Sequence, residues 1–93
     1  MFEKEFPNLS YIILKIYIKF GYNHRMVNSI EELSELQKEL CKILRNNNIN
    51  NLDNVIEEMA DVYLSMEEVK KANGISDEKI LKIMKEKVLR GVR

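Results

Sequence analysis

Tryptophan is absent from this chain, and proline, cysteine and histidine occur once each. Each scarcity removes a class of chemistry. Cys41 alone makes no internal disulfide and no Cys-x-x-Cys metal or redox pair. His24 alone rules out a His-rich metal site and the paired Glu-x-x-His template of carboxylate-bridged di-iron bundles. Three glycines, none clustered, leave no Gly-rich phosphate loop, and there is no nucleophile elbow. Charge of one sign is also lacking: fifteen Lys and Arg balance fifteen Asp and Glu, so no net field draws nucleic acid or an anionic membrane. The most apolar run, Leu9 to Phe20, is too short for a bilayer and is interrupted by Lys15 and Lys19. No signal-peptide pattern opens the chain, so a cytoplasmic setting is expected.

What is present is helix-forming. With 45% hydrophobic and 32% charged residues in 93, the composition is that of one small globular helical domain, residues 1–93. A core that small calls for partner copies. Met1 to Phe6 reads as a short charged lead. Pro7 suits a first helical turn, and Leu9, Ile12, Ile13, Ile16 and Phe20 keep helical spacing as far as Gly21. Tyr11, Leu14, Tyr17 and Ile18 make this helix apolar nearly all round, with part of its surface expected to meet another subunit. Asn23 can cap a second helix over about Arg25 to Arg45, and the run Asn46 to Asn51 reads as a turn. A third helix is expected from Leu52 to Ala72, stopped by Asn73-Gly74. Ser76 caps a fourth, whose core face is Ile80, Leu81, Met84 and Val88.

The second and third helices carry a near-repeat. Glu31-Glu32-Leu33-Ser34-Glu35-Leu36 is echoed by Glu57-Glu58-Met59-Ala60-Asp61-Val62. At about 100° per residue, Ile30, Leu33, Leu36, Leu40, Ile43 and Leu44 form one stripe, and Leu52, Val55, Ile56, Met59, Val62, Tyr63 and Met66 form another. Both stripes are expected to face the core, with Cys41 as apolar filler at the edge of the first. Glu32 and Glu58 fall roughly 100° from the stripe origins, and Glu35 and Asp61 roughly 60° further round. Antiparallel packing of the two helices, favoured by a short joint, brings the two acid pairs face to face. Convergent carboxylates repel unless a cation sits among them, and a hard divalent ion that completes its shell with phosphates is the natural guest. The bland alternative is a solvated acidic face.

This pair of motifs, Glu31-Glu32-x-x-Glu35 and Glu58-x-x-Asp61, resembles that of the MazG-like all-α nucleoside triphosphate pyrophosphohydrolases, which include the dimeric dUTPases. The likeness runs from about Phe20 to Arg90. Lys87-x-x-Arg90 is similar to a basic pair in the family's last helix, while Arg25 departs from the Gln that many short relatives carry. The resemblance implies a four-helix bundle completed by oligomerisation, as a dimer or tetramer. It also implies Mg²⁺, with Mn²⁺ as a substitute, and hydrolysis of a (d)NTP to (d)NMP and pyrophosphate by an activated water. Glu32, Glu35, Glu58 and Asp61 are then the metal ligands. Glu35 stands open as ligand or general base, with Glu31 as the other base candidate. Lys87, Arg90 and Asn28 are the expected substrate contacts; a basic helix end complementing the helix dipole is the plain alternative for Lys87 and Arg90. Tyr17 and Phe20 are candidate base-stacking rings, though core aromatics are commoner. The rival from another class is a non-catalytic helical interaction module with the first helix as its binding surface.

Overall fold

A computed structural model describes residues 4–46 and 51–91, and these hold four α-helices and no strand. The helices are α1 (Leu9–Phe20), α2 (Tyr22–Asn46), α3 (Leu52–Asn73) and α4 (Asp77–Gly91). Their number and order match the sequence expectation. Residues 1–3 of the expected charged lead, and residues 47–50 of the expected Asn turn, lie outside the described residues.

The boundaries are set by two glycines and a serine. Gly21 takes a φ of 81°, closed to most L side chains, and turns the chain within one residue. Its N–H bonds to the Tyr17 carbonyl at 2.8 Å and its carbonyl accepts from the Arg25 N–H at 3.2 Å, so it ends α1 and begins α2 together. Asn23 is therefore a residue of α2 and not its cap. Gly74 stops α3 in the left-handed conformation, with the Ile75 N–H returning to the Lys70 carbonyl at 2.9 Å. Ser76 caps α4 as expected, its hydroxyl accepting from the Lys79 N–H at 3.3 Å. Lys70 then clamps the joint by pairing with Glu67 at 2.8 Å and with Asp77.

α2 and α3 pack most extensively and run antiparallel. Tyr22 donates to Asn73 at 2.8 Å, Arg25 pairs with Glu68, the Ser29 hydroxyl donates to the Ser65 carbonyl at 3.4 Å, and the Asn51 amide donates to the Glu39 carboxylate. These ties pick out the faces in contact. On α2 the line is Arg25, Ser29, Glu32, Leu36, Glu39 and Ile43; on α3 it is Val55, Glu58, Val62, Ser65, Val69 and Ala72, all buried or half-buried. Both lines alternate steps of three and four, the spacing that keeps two helices in register along a seam. Small side chains at Ser29 and Ser65 let the backbones approach.

The seam buries or half-buries only part of each apolar stripe, Leu36 and Ile43 on α2 and Val55 and Val62 on α3, and most of the rest of both stripes is exposed, which corrects the sequence expectation for those exposed residues. Ile30 is 65% exposed, Leu44 85% and Ile56 63%, with Leu33, Leu40, Leu52, Met59 and Tyr63 also exposed. Cys41, expected as buried filler, is exposed as well. Among the described residues only Ile13 and Val55 are buried apolar side chains, whereas Arg25, Ser29, Glu39, Ser65 and Glu67 are buried polar ones. The physical reason is pairing across the seam. Arg25 and Glu68 neutralise each other there and the two serines fit closely, which turns the rest of each stripe away from the seam. α1 adds Ile13 to the core and packs on α3 and α2, while α4 packs against none of the other three. Of its expected core face Ile80 is half-buried, while Leu81, Met84 and Val88 are exposed. The radius of gyration is 15.6 Å, against about 12 Å for a compact chain of this length.

A candidate acidic metal site in the seam

The seam positions three carboxylates. Glu32 lies midway along α2, Glu58 and Asp61 lie one turn apart on α3, and one oxygen from each falls within 4.8 Å of the others. The Ser29–Ser65 tie holds the helices on one side of them and the Glu39–Asn51 tie on the other. Glu32 and Glu58 are half-buried between the helices, and Asp61 is exposed at the mouth. Partial burial first, then repulsion from Asp61 and Glu58, raises the Glu32 pKa, and a hydrogen bond with Asp61 adds to the rise. Glu58 is raised by the same order of causes: burial, then Asp61, then Glu35. Every charge acting on this pair to raise it is another carboxylate of α2 or α3.

Residues expected at the site divide into two groups. Glu32, Glu58 and Asp61 come together. Glu35 stays exposed outside that trio, close enough for its charge to be felt at Glu58. Glu31 is exposed beside Glu32, and Asn28 is half-buried one turn earlier on α2. Lys87 and Arg90 ride on α4, which is not packed on the acid-bearing helices, so the single chain does not bring them to the carboxylates.

Two other sequence candidates have structural employment. Arg25 is buried and paired with Glu68, and burial lowers its pKa. The Phe20 ring stacks on His24, a residue of α2, with centroids 4.9 Å apart. Glu39 was not foreseen as a seam residue. Its carboxyl is held below the usual range by the Asn51 amide, then by Lys42 at 3.1 Å, which keeps it charged and occupied with structure. The available signal was the step pattern of four and three that runs from Arg25 through Glu39 to Ile43.

Three carboxylate oxygens within 4.8 Å of one another form a group that could hold a metal ion. No family model matches this chain, and no curated protein or solved structure matches it either. Among the described residues no helix is long and apolar enough to cross a membrane.

Proposed function

We propose that the chain is a Mg²⁺-dependent nucleoside triphosphate pyrophosphohydrolase, converting a (d)NTP to (d)NMP and pyrophosphate. One observation carries this reading: Glu32, Glu58 and Asp61 meet at the seam with one oxygen from each within 4.8 Å of the others, and the charges that raise the Glu32 and Glu58 pKa values are all carboxylates. A bound Mg²⁺, or Mn²⁺ in its place, would supply charge neutralisation for the triphosphate and a more acidic water. Glu32, Glu58 and Asp61 would hold the ion. Glu35, exposed next to Glu58, is placed to take a proton from the attacking water or to complete the ligand set, and Glu31 is the second base candidate. Asn28 lies one turn from Glu32 and can orient a ligand from the same helix. Lys87 and Arg90 belong to this reading as a grip on the outgoing phosphates, Arg90 by its two-pronged guanidinium, and α4 must approach the seam for them to serve it.

The resemblance to MazG-like enzymes supports the reaction and the homo-oligomeric state, dimer or tetramer. A second reading, a non-catalytic helical interaction module, draws on the bare apolar surfaces of α1 and α4. The discriminating experiment is pyrophosphate release from a panel of NTPs and dNTPs with Mg²⁺, for the native chain and for Glu58→Gln and Glu35→Gln. Release that needs Mg²⁺ and is lost in Glu58→Gln supports the enzyme. Silence over the whole panel together with no Mg²⁺ effect on melting temperature supports the module.

A further inference from the structure

The even charge of the whole chain conceals a segregation. From Phe6 to Ile30 the basic residues Lys15, Lys19 and Arg25 have no Asp or Glu among them, whereas acids gather between Glu31 and Glu68. Glu68 occupies Arg25 in the seam, which leaves the two lysines of α1. That helix rests on α3 and α2 with Ile13 as its buried side chain. At about 100° per residue, Tyr11, Ile12, Leu14, Lys15, Ile18 and Lys19 fall within about 80° of the direction opposite Ile13. All six are exposed, Ile18 by 74% and Tyr11 by 61%. The outward half of α1 is thus built of apolar side chains and two ammonium groups, with no carboxylate. The Lys15 Nζ lies 5.1 Å from the centroid of the Tyr11 ring and the Lys19 Nζ 5.2 Å from that of Phe20. Neither lysine has an ion-pair partner among the described residues.

We propose that the outward face of α1 docks on an anionic lipid surface, the helix lying in the plane of the bilayer. Charge selects that occupant. A second copy meeting the same face would set Lys15 and Lys19 against their own counterparts, with no acid to pair them. A nucleic acid would supply phosphates for the lysines but leave Ile12, Leu14 and Ile18 in water. An anionic bilayer serves both kinds of side chain. The aliphatic groups enter the boundary of the acyl chains, while the lysine stems lie along it and carry their ammonium groups up to the headgroup phosphates. Tyr11, with an apolar ring and a polar tip, suits the same boundary. The twelve residues of α1 are too few to cross a bilayer and enough to lie on one. This docking is independent of the carboxylate trio, which lies on α2 and α3.

Co-sedimentation with lipid vesicles tests the surface without any appeal to activity. The native chain is expected to pellet with vesicles of phosphatidylcholine and phosphatidylserine, to stay in solution with phosphatidylcholine alone, and to leave the anionic vesicles as salt is raised. Lys15→Gln with Lys19→Gln is expected to weaken the partition roughly 30-fold. Leu14→Ser with Ile18→Ser should weaken it as well, and helical content should be kept in both variants because all four positions are exposed. Lys82→Gln with Lys85→Gln removes the same charge from α4 and is expected to retain binding. The chain has no tryptophan, so Ile18→Trp reports alone: its emission should shift to the blue on anionic vesicles, and that of Leu81→Trp should not. A native chain that ignores anionic vesicles, or that is released from them by the α4 lysine variant and not by the α1 one, would overturn the proposal. Equal binding to both kinds of vesicle would do the same. So would a blue shift of Ile18→Trp that follows protein concentration without lipid, which would assign the face to a second copy.

Discussion

The seam between α2 and α3 and the flank beside it divide labour in an unusual way. The seam buries a guanidinium, two serines, the Glu39 carboxylate and Val55, with Leu36, Ile43, Val62 and Val69 half-buried among them, whereas the flank exposes leucine, isoleucine, methionine and tyrosine. The difference teaches that specific polar partners help to choose the pairing of α2 with α3, while much of the apolar surface of both helices stays exposed.

Breaking the seam should have the largest effect. Arg25→Ala strands the Glu68 carboxylate in a buried position and is expected to cost about 3–5 kcal/mol in urea denaturation. Arg25→Met with Glu68→Leu should recover most of that loss. If Arg25→Ala proves neutral, the seam is not what holds the two helices. Next comes the site. Glu32→Gln or Glu58→Gln should lower Mg²⁺-dependent pyrophosphate release by about 100-fold or more, the outer range for losing a group that tunes a metal. The same substitutions should raise the melting temperature of the metal-free protein at pH 8, because they remove repulsion.

The pH dependence has a definite sign. The folded pKa values of Glu32 and Glu58 are raised, so the folded state binds protons more readily than the unfolded chain. Stability from these groups is full below the ordinary carboxylate pKa and is lost as pH climbs through the raised values. Metal-free protein should therefore melt lower at pH 8 than at pH 5, and Mg²⁺ should close the gap. Asp77 behaves in the opposite manner. The Lys70 partnership holds it down from 3.8 to about 2, so its contribution is present above 3.8 and fades as pH falls toward 2. Asp77→Asn should make the protein less stable at pH 7 and flatten the acid limb of its melting curve. The smallest effect belongs to Cys41→Ser. That side chain is exposed, and its loss should stay within about 0.5 kcal/mol.

Much of the fold was legible because its punctuation is local. Gly21 and Gly74 take positive φ, and Ser76 satisfies a free N–H three residues on; each such constraint is written within a few residues. The acid site was legible for a related reason. Glu32 and Glu58 hold equal angular offsets on their helices, so any antiparallel pairing along that line brings them together. What could not be read from apolar periodicity was the choice of seam. Periodicity says which residues share a face, and the face that meets a neighbour is decided by partners far apart in the chain. Arg25 finds Glu68, and Ser29 finds Ser65. A search for alternating steps of three and four that admitted polar residues would have found both lines. Glu35 shows the same limit at closer range: its spacing is that of a ligand, yet Glu32, Glu58 and Asp61 converge without it.

Cation binding at the trio is the most direct test of the central claim. Mn²⁺ titrated into the protein at pH 7.5, with free ion followed by electron paramagnetic resonance, should show one or two ions held per chain, displaced by Mg²⁺ and absent in Glu58→Gln. Mn²⁺ that remains free at millimolar concentration, or that binds Glu58→Gln and the native chain alike, would contradict a metal site in the seam and leave the carboxylates as a solvated acidic face.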